Sequence, residues 1–147
     1  TESRPCHAQL LAGVDEDPRN LLNGWKANGQ RLDTIFDRAP YSVAIGAPDV
    51  IDLFPAPSRD GQKARHYRAT FPMRMYRDVK REGALDSWTR DQLQAVLAGE
   101  RTAEGADPAR LRDIGTIFVL HLTGIDTAGH RHGAGSKQYR QAVRDAD

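Results

Sequence analysis

The sequence predicts an α/β fold with a mostly parallel sheet between helices, and three observations carry that expectation. Residues 117–122, Ile-Phe-Val-Leu-His-Leu, form a nearly continuous apolar run rich in β-branched and aromatic side chains, the pattern of a central strand buried on both faces. Residues 41–46, Tyr-Ser-Val-Ala-Ile-Gly, alternate apolar and small side chains and read as another strand. Segments with helical spacing and recognisable caps surround these runs, and strands that alternate with helices belong to α/β layers. No internal repeat interrupts the pattern.

Residues 6–13 open the series of helices. Ala8, Leu10, Leu11 and Ala12 make a short apolar patch, Pro5 suits a first turn and Gly13 a stop. Between Gln30 and Arg38, Leu32, Ile35 and Phe36 recur at helical spacing and Pro40 forbids continuation, so a short amphipathic helix is expected. Residues 55–77 hold several prolines and basic groups without a clear period and are expected to form a surface excursion. Asp86 and Ser87 can cap a helix bearing Trp88, Leu93, Val96 and Leu97, which Gly99 would end. Asp107-Pro108 then places a capping carboxylate and a first-turn proline before Leu111 and Ile114, opening another helix or turn. After the apolar strand, Ser136 can cap a last helix with Tyr139 and Val143 on one face.

The 147 residues are 39% hydrophobic and 28% charged, with a mean hydropathy of -0.64, which suits one globular domain with a real core. Lys+Arg of 21 against Asp+Glu of 20 gives a net charge of +1 with no long run of one sign, so no nucleic-acid partner is expected. The longest apolar stretch, residues 114–125, is interrupted by Gly115, Thr116, His121, Thr123 and Gly124. It falls short of the roughly 18 apolar residues that a spanning helix needs. The single Cys6 has no partner for an internal disulfide, which leaves reducing and oxidising compartments both open. The opening Thr1-Glu2-Ser3-Arg4-Pro5 lacks an initiator Met or signal core, and the chain closes in what reads as a running helix. The expectation is one partial domain, 1–147, truncated at both ends.

Side chains able to carry chemistry gather in two places. The stretch Gly124-Ile125-Asp126-Thr127-Ala128-Gly129-His130-Arg131-His132-Gly133 directly follows the apolar strand, and its three glycines argue against a helix. Asp126 and His130 are therefore expected on a loop at a strand's carboxyl end, the edge where open α/β sheets bind ligands. A carboxylate and an imidazole four positions apart on such a loop can converge on one divalent ion, zinc among others. The alternative is an Asp126 that accepts backbone N–H bonds beside an exposed His130, because two ligands fall short of the three or four of a zinc site. His132 reads as a solvent-facing neighbour of Arg131, and His121 as a core histidine with its polar atoms satisfied.

The other place is Ser3-Arg4-Pro5-Cys6-His7, at the head of the first helix. A hydroxyl there lies beside unpaired N–H groups and the positive end of the helix dipole, which favours an adjacent phosphate. Ser3 thus fits a nucleophile, and it fits an N-cap equally well. His7, four residues on, could share a helical face with Ser3, but no third orienting group accompanies the pair. Cys6, a lone thiol near an apolar patch, reads as inert packing.

Five stretches match a known family in order: Thr1-Glu2-Ser3-Arg4-Pro5-Cys6-His7, Gly24-Trp25-Lys26-Ala27-Asn28, Leu32-Asp33-Thr34-Ile35-Phe36, Gly46-Ala47-Pro48-Asp49-Val50 and Leu120-His121-Leu122-Thr123-Gly124-Ile125-Asp126-Thr127-Ala128-Gly129-His130. With them the chain resembles, from its first residue to its last, the luminal catalytic domain of the GPI ethanolamine phosphate transferase 1 family, within the alkaline phosphatase superfamily. The fit is loosest over residues 55–110. Asp-Thr-Ala-Gly-His indicates the superfamily, whereas the Gly-Trp-Lys and Pro-Asp-Val segments point to the transferases.

The resemblance implies a partial alkaline-phosphatase-like sandwich with its site at the strands' carboxyl ends. It implies transfer of phosphoethanolamine from phosphatidylethanolamine to the first mannose of a GPI-anchor precursor, in the lumen of the endoplasmic reticulum. The parent protein would be embedded in the membrane through segments outside this chain. By the same resemblance Ser3 is the hydroxyl nucleophile and a metal ligand, with Thr1 the runner-up. Asp126 and His130 are ligands of one ion in a two-zinc site, and Asn28 steadies a phosphoryl oxygen. Zinc would lower the pKa of the serine, and a phosphodiester on Ser3 would pass to the sugar hydroxyl with ping-pong kinetics.

Cys6 stands where that family usually has glycine, Gly29 where it has proline and Ala47 where it has serine. The family also places a metal-binding Asp ahead of this chain, and an Asp-His pair and a further His beyond it. The 147 residues alone are therefore expected to lack the complete two-metal centre and to be inactive. Two rival readings accompany this one. A phosphodiesterase or phosphatase of the same superfamily would use water as acceptor. In a non-catalytic α/β interaction domain, Ser3 would be a cap and Asp126 a loop acceptor.

Overall fold

Three parallel strands set the frame: β1 (Ser42–Gly46), β2 (His66–Thr70) and β3 (Ile117–Leu120), in the spatial order β2-β1-β3. The computed structural model of the protein describes residues 3–15, 33–52, 66–72, 74–75, 83–100 and 106–147. Ser42 lies opposite His66 on one side and Ile117 on the other, and Ile45 lies opposite Ala69 and Leu120. Around the sheet run α1 (Ser3–Ala12), α2 (Ile35–Arg38), α3 (Pro48–Ile51), α4 (Ala84–Ala98), a 3-10 helix (Pro108–Arg112), α5 (Gly124–His132) and α6 (Lys137–Ala146). This is the expected α/β architecture, a parallel sheet between helices, and it is consistent with part of an alkaline-phosphatase-like sandwich. None of the described helices is long and apolar enough to cross a membrane.

Alternation along β1 explains the two helical layers, because successive side chains of a strand point to opposite faces. Ala44 packs with Ala8 and Leu11 of α1, Phe36 of α2, and Val50 and Ile51 of α3. Val43 and Ile45 face the other way, against Tyr67, Ala95 and Val96, so α4 covers that face. All five residues of β1 are buried. β3, by contrast, alternates: Ile117 and Val119 pack on the α1 side, while Phe118 and Leu120 are 42% and 38% exposed. The strand expected to be central is thus a neighbour of the central one. Apolarity alone does not tell a doubly covered strand from one whose second face has no described cover.

Several local signals act as their chemistry predicts. Gly13, at φ +67, follows the end of α1, and Gly99, at φ +68, ends α4 with its N–H bonded to the Ala95 and Val96 carbonyls. The Asp107 carboxylate accepts from the Ala109 N–H ahead of Pro108, and Ser136 Oγ accepts from the Tyr139 N–H at the head of α6. In α2 the Asp37 carboxylate accepts from both the N–H and the hydroxyl of Thr34, at 2.8 and 3.0 Å.

Other expectations are corrected. The excursion expected over residues 55–77 contains β2, whose Tyr67 is buried beside Val43 and Ile45. A single aromatic anchor paired in register with β1 outweighs the polar residues on either side. The helix expected between residues 30 and 38 has only Ile35–Arg38 in helical form among its described residues, and Leu32 lies outside them. Neither Asp86 nor Ser87 caps α4; the cap position is Gly83, at φ +81. Cys6 is exposed rather than packed.

Candidate active site

The carboxyl ends of β1 and β3 meet through a glycine. The His121 N–H donates to the Ile45 carbonyl at 2.9 Å, which brings the backbone of His121 over Gly46. A Cβ on Gly46 would lie 2.5 Å from His121 Cβ and 2.8 Å from its carbonyl oxygen, and the φ of +151 is itself one that L side chains rarely adopt. Only glycine permits this approach. The chain then turns through Thr123 into α5, so the residues after β3 leave from the carboxyl edge of the sheet.

Residues 124–132 form a helix, not the expected loop. The glycines do not break it, because two of the three stand at its ends and only Gly129 lies inside. Gly124 stands at its start, where a Cβ would be driven into Asp86 Oδ2. Gly129 faces the ring of Tyr139 from α6, where a Cβ would sit 3.4 Å from Cε2, and Gly133, at φ +81, follows the last turn. Asp126 in the first turn and His130, Arg131 and His132 in the last match the polarity of the helix dipole. That charge pattern was the available signal for a helix.

On this helix Asp126 and His130 are one turn apart, and His130 Nε2 lies 3.5 Å from Asp126 Oδ1, with both side chains largely solvent-accessible. The structure thus brings these two together, on a rigid element instead of a hinged loop. His132 is exposed, as expected. His121 differs from its expectation: it lies just past β3, it is half-buried, and its Nδ1 has no hydrogen-bond partner. The same holds for the buried hydroxyls of Thr123 and Thr127. The segment that joins β3 to α5 thus carries three buried polar atoms without hydrogen-bond partners.

His121 also ties α1 to this edge. Its ring meets that of His7 edge to face, with centroids 4.8 Å apart. Burial pushes the His121 imidazole below its ordinary pKa and the neighbouring His7 adds to this, while Asp49, Asp126 and Asp86 pull the other way. Ser3 opens α1 one helical turn before His7. The side chain of Ser3, and the whole of Thr1 and Asn28, lie outside the described residues.

Asp126 and His130 supply one oxygen and one nitrogen donor, the chemistry that zinc accepts, from positions fixed on one helix face. Among the described residues, no group of three or more His, Cys, Asp or Glu side chains is gathered to complete such a site. The pair fits a partial metal site.

Sequence reasoning took Asp86 as a cap of its own helix and missed that it reaches from α4 to the start of α5, and it gave no role to Asp49, at the start of α3. Asp49 stood inside a recognised Gly-Ala-Pro-Asp-Val segment, but nothing local marks Asp86, whose partners lie 37 and 38 positions away.

Comparison with known proteins adds a different kind of observation. Along its whole length the chain is 34% identical, over 149 aligned residues, to GPI ethanolamine phosphate transferase 1 of Gibberella zeae. It is 32% identical over 154 residues to the human protein of that name, and 32% identical over 147 residues to that of Yarrowia lipolytica. The chain spans only 15–16% of the length of these relatives. No protein-family model and no solved structure matches it.

Proposed function

Because the chain is kin, from end to end, to one stretch of the GPI ethanolamine phosphate transferase 1 proteins, we propose that it forms part of the catalytic domain of a phosphoethanolamine transferase of GPI-anchor assembly. The donor in this reading is phosphatidylethanolamine, the acceptor is the first mannose of the GPI precursor, and the reaction takes place in the lumen of the endoplasmic reticulum. The observation that supports it is the Asp126–His130 pair on the helix that leaves the sheet's carboxyl edge, to which the His7–His121 contact also ties α1.

Ser3 is the nucleophile in this proposal. Its Oγ gives up a proton and forms a bond to the donor's phosphorus, while the bond from phosphorus to the glycerol oxygen of the lipid breaks and that oxygen takes up a proton. In the second half-reaction the mannose hydroxyl forms the new bond to phosphorus, the bond to Ser3 Oγ breaks and the serine hydroxyl is restored. Asp126, His130 and Ser3 would hold one zinc ion of a pair. When bound, such ions supply positive charge that favours the alkoxide form of a hydroxyl and stabilises charge on phosphoryl oxygens. Asp126 presents a carboxylate oxygen, His130 keeps its Nε2 as a neutral donor, and Asn28 donates its amide to a phosphoryl oxygen.

The test uses the protein encoded by the full reading frame and a donor lipid labelled in its ethanolamine phosphate. Label should appear covalently on the protein and move to a mannose acceptor, and Ser3→Ala should abolish both steps while Thr1→Ala leaves them. Label on the protein after Ser3→Ala would overturn the assignment of Ser3. Release of free phosphoethanolamine to water, with none on the sugar, would make the protein a hydrolase instead.

A further inference from the structure

Two helix starts share one carboxylate. Asp86 lies in the first turn of α4, yet its oxygens point across to α5: Oδ1 accepts the N–H groups of Thr123 at 2.7 Å and Gly124 at 2.9 Å, and Oδ2 accepts that of Gly124 at 3.1 Å. These are donors that a helix leaves unpaired at its start, and the positive end of its dipole strengthens their hold on an anion. The cap residue of α5 does not serve them, because Thr123 makes no side-chain cap bond and its backbone is already helical. Gly124 completes the fit, since any side chain there would collide with Asp86 Oδ2.

A nine-residue helix that carries glycine at positions 124 and 129 has little helical propensity of its own. Its direction depends on what holds its two ends. At the far end Tyr139 of α6 packs on Gly129, and at the near end Asp86 bonds the first amides. Asp126 follows Gly124 by two residues, in the same turn, so any shift of that turn moves its carboxylate against His130. Ångström-scale displacement is enough to degrade a metal site.

We propose that Asp86 is a positioning residue: by bonding the Thr123 and Gly124 amides across the α4–α5 junction, it holds Asp126 and His130 in register for a divalent cation. The inference rests on the reading that this pair binds such a cation. Asp86 itself would not touch the ion.

The experiment measures zinc binding by the full-length protein, in competition with a chromophoric chelator, and the visible spectrum of the cobalt-loaded form as a report on coordination geometry. Asp86→Ala should weaken zinc binding about tenfold or more and alter the cobalt spectrum. Asp86→Asn, which retains a carbonyl acceptor, should do less of both. Gly124→Ala should weaken zinc binding on its own but add nothing in an Asp86→Ala background, because the collision it creates is then gone. If Asp86→Ala does not fold, Asp86→Asn and Gly124→Ala carry the same test. Wild-type zinc affinity and cobalt spectrum in the Asp86 variants, with binding lost in Asp126→Ala, would overturn the positioning role and leave the metal reading standing. So would a lowered melting temperature with no change in either metal readout. If Asp126→Ala binds zinc like wild type, the metal reading fails and the role of Asp86 falls with it.

Discussion

The rings of His7 and His121 meet at 76°, with centroids 4.8 Å apart, and this contact joins the first helix to the strand that feeds α5. Ser3 precedes His7 by four residues, about 6 Å along the helix axis. Residues more than a hundred positions apart in the chain thereby border one edge of the sheet.

Burial of His121 makes stability depend on pH. The His121 imidazole is pushed below its ordinary pKa by burial and then by His7, against the opposing pull of Asp49, Asp126 and Asp86. The unfolded chain therefore binds this proton more readily than the folded one. The contribution to stability is complete above about pH 6.5, the unfolded value, and is lost as pH falls through the folded value. Thermal unfolding should move to lower temperature as pH drops from about 7.5 to about 5.5, and His121→Gln should flatten that slope. An unchanged slope in the variant would assign the effect to other groups.

Gly46→Ala should damage the fold more than most glycine substitutions. The new Cβ would meet His121 Cβ at 2.5 Å, at a backbone φ of +151 that already strains an L residue. Overpacking and backbone strain each cost about 1–3 kcal/mol, so a loss of about 3 kcal/mol or more is expected in a denaturant titration. A loss under about 1 kcal/mol would mean that β1 and β3 can separate at little cost.

Burial should separate two isoleucines of the same chain. Ile45 is fully buried in the central strand and Ile114 fully exposed. Ile45→Ala should destabilise by about 2–5 kcal/mol, and Ile114→Ala should fall within about 0.5 kcal/mol of wild type. Equal effects in chemical denaturation would contradict the layer arrangement.

Metal loading should follow the Asp126–His130 pair and not the neighbouring histidine. Asp126→Ala and His130→Ala are each expected to cut zinc content, measured by elemental analysis after dialysis, whereas His132→Ala leaves it unchanged. Chelation should abolish transfer activity of the full-length protein and zinc should restore it. Activity that survives exhaustive chelation would remove zinc from the mechanism.

Features that depend on a few adjacent residues were legible without the structure. Gly13 and Gly99 end helices, Asp107-Pro108 and Ser136 start them, and residues 41–46 contain a strand because alternating small and apolar side chains suit a pleat. Asp126 and His130 were legible as a pair because their spacing survives whether the backbone is loop or helix. The backbone they sit on was not legible, since counting glycines charges each with a full helix penalty and ignores what packs against it. β2 was hidden because His66, Arg68 and Thr70 mask the buried Tyr67 within a basic, proline-containing stretch.

By itself the sequence determined the α/β class, several helix ends, and which carboxylate and imidazole stand together, since all of these follow from interactions within a turn or a strand. Only the tertiary structure decided that β1 and not β3 is central, that α5 is a helix, and that Asp86 anchors its first turn. The reason is physical: burial and the pairing of buried polar groups are settled by whatever lies across the interface, and the amides that Asp86 bonds are 37 and 38 residues away in the chain.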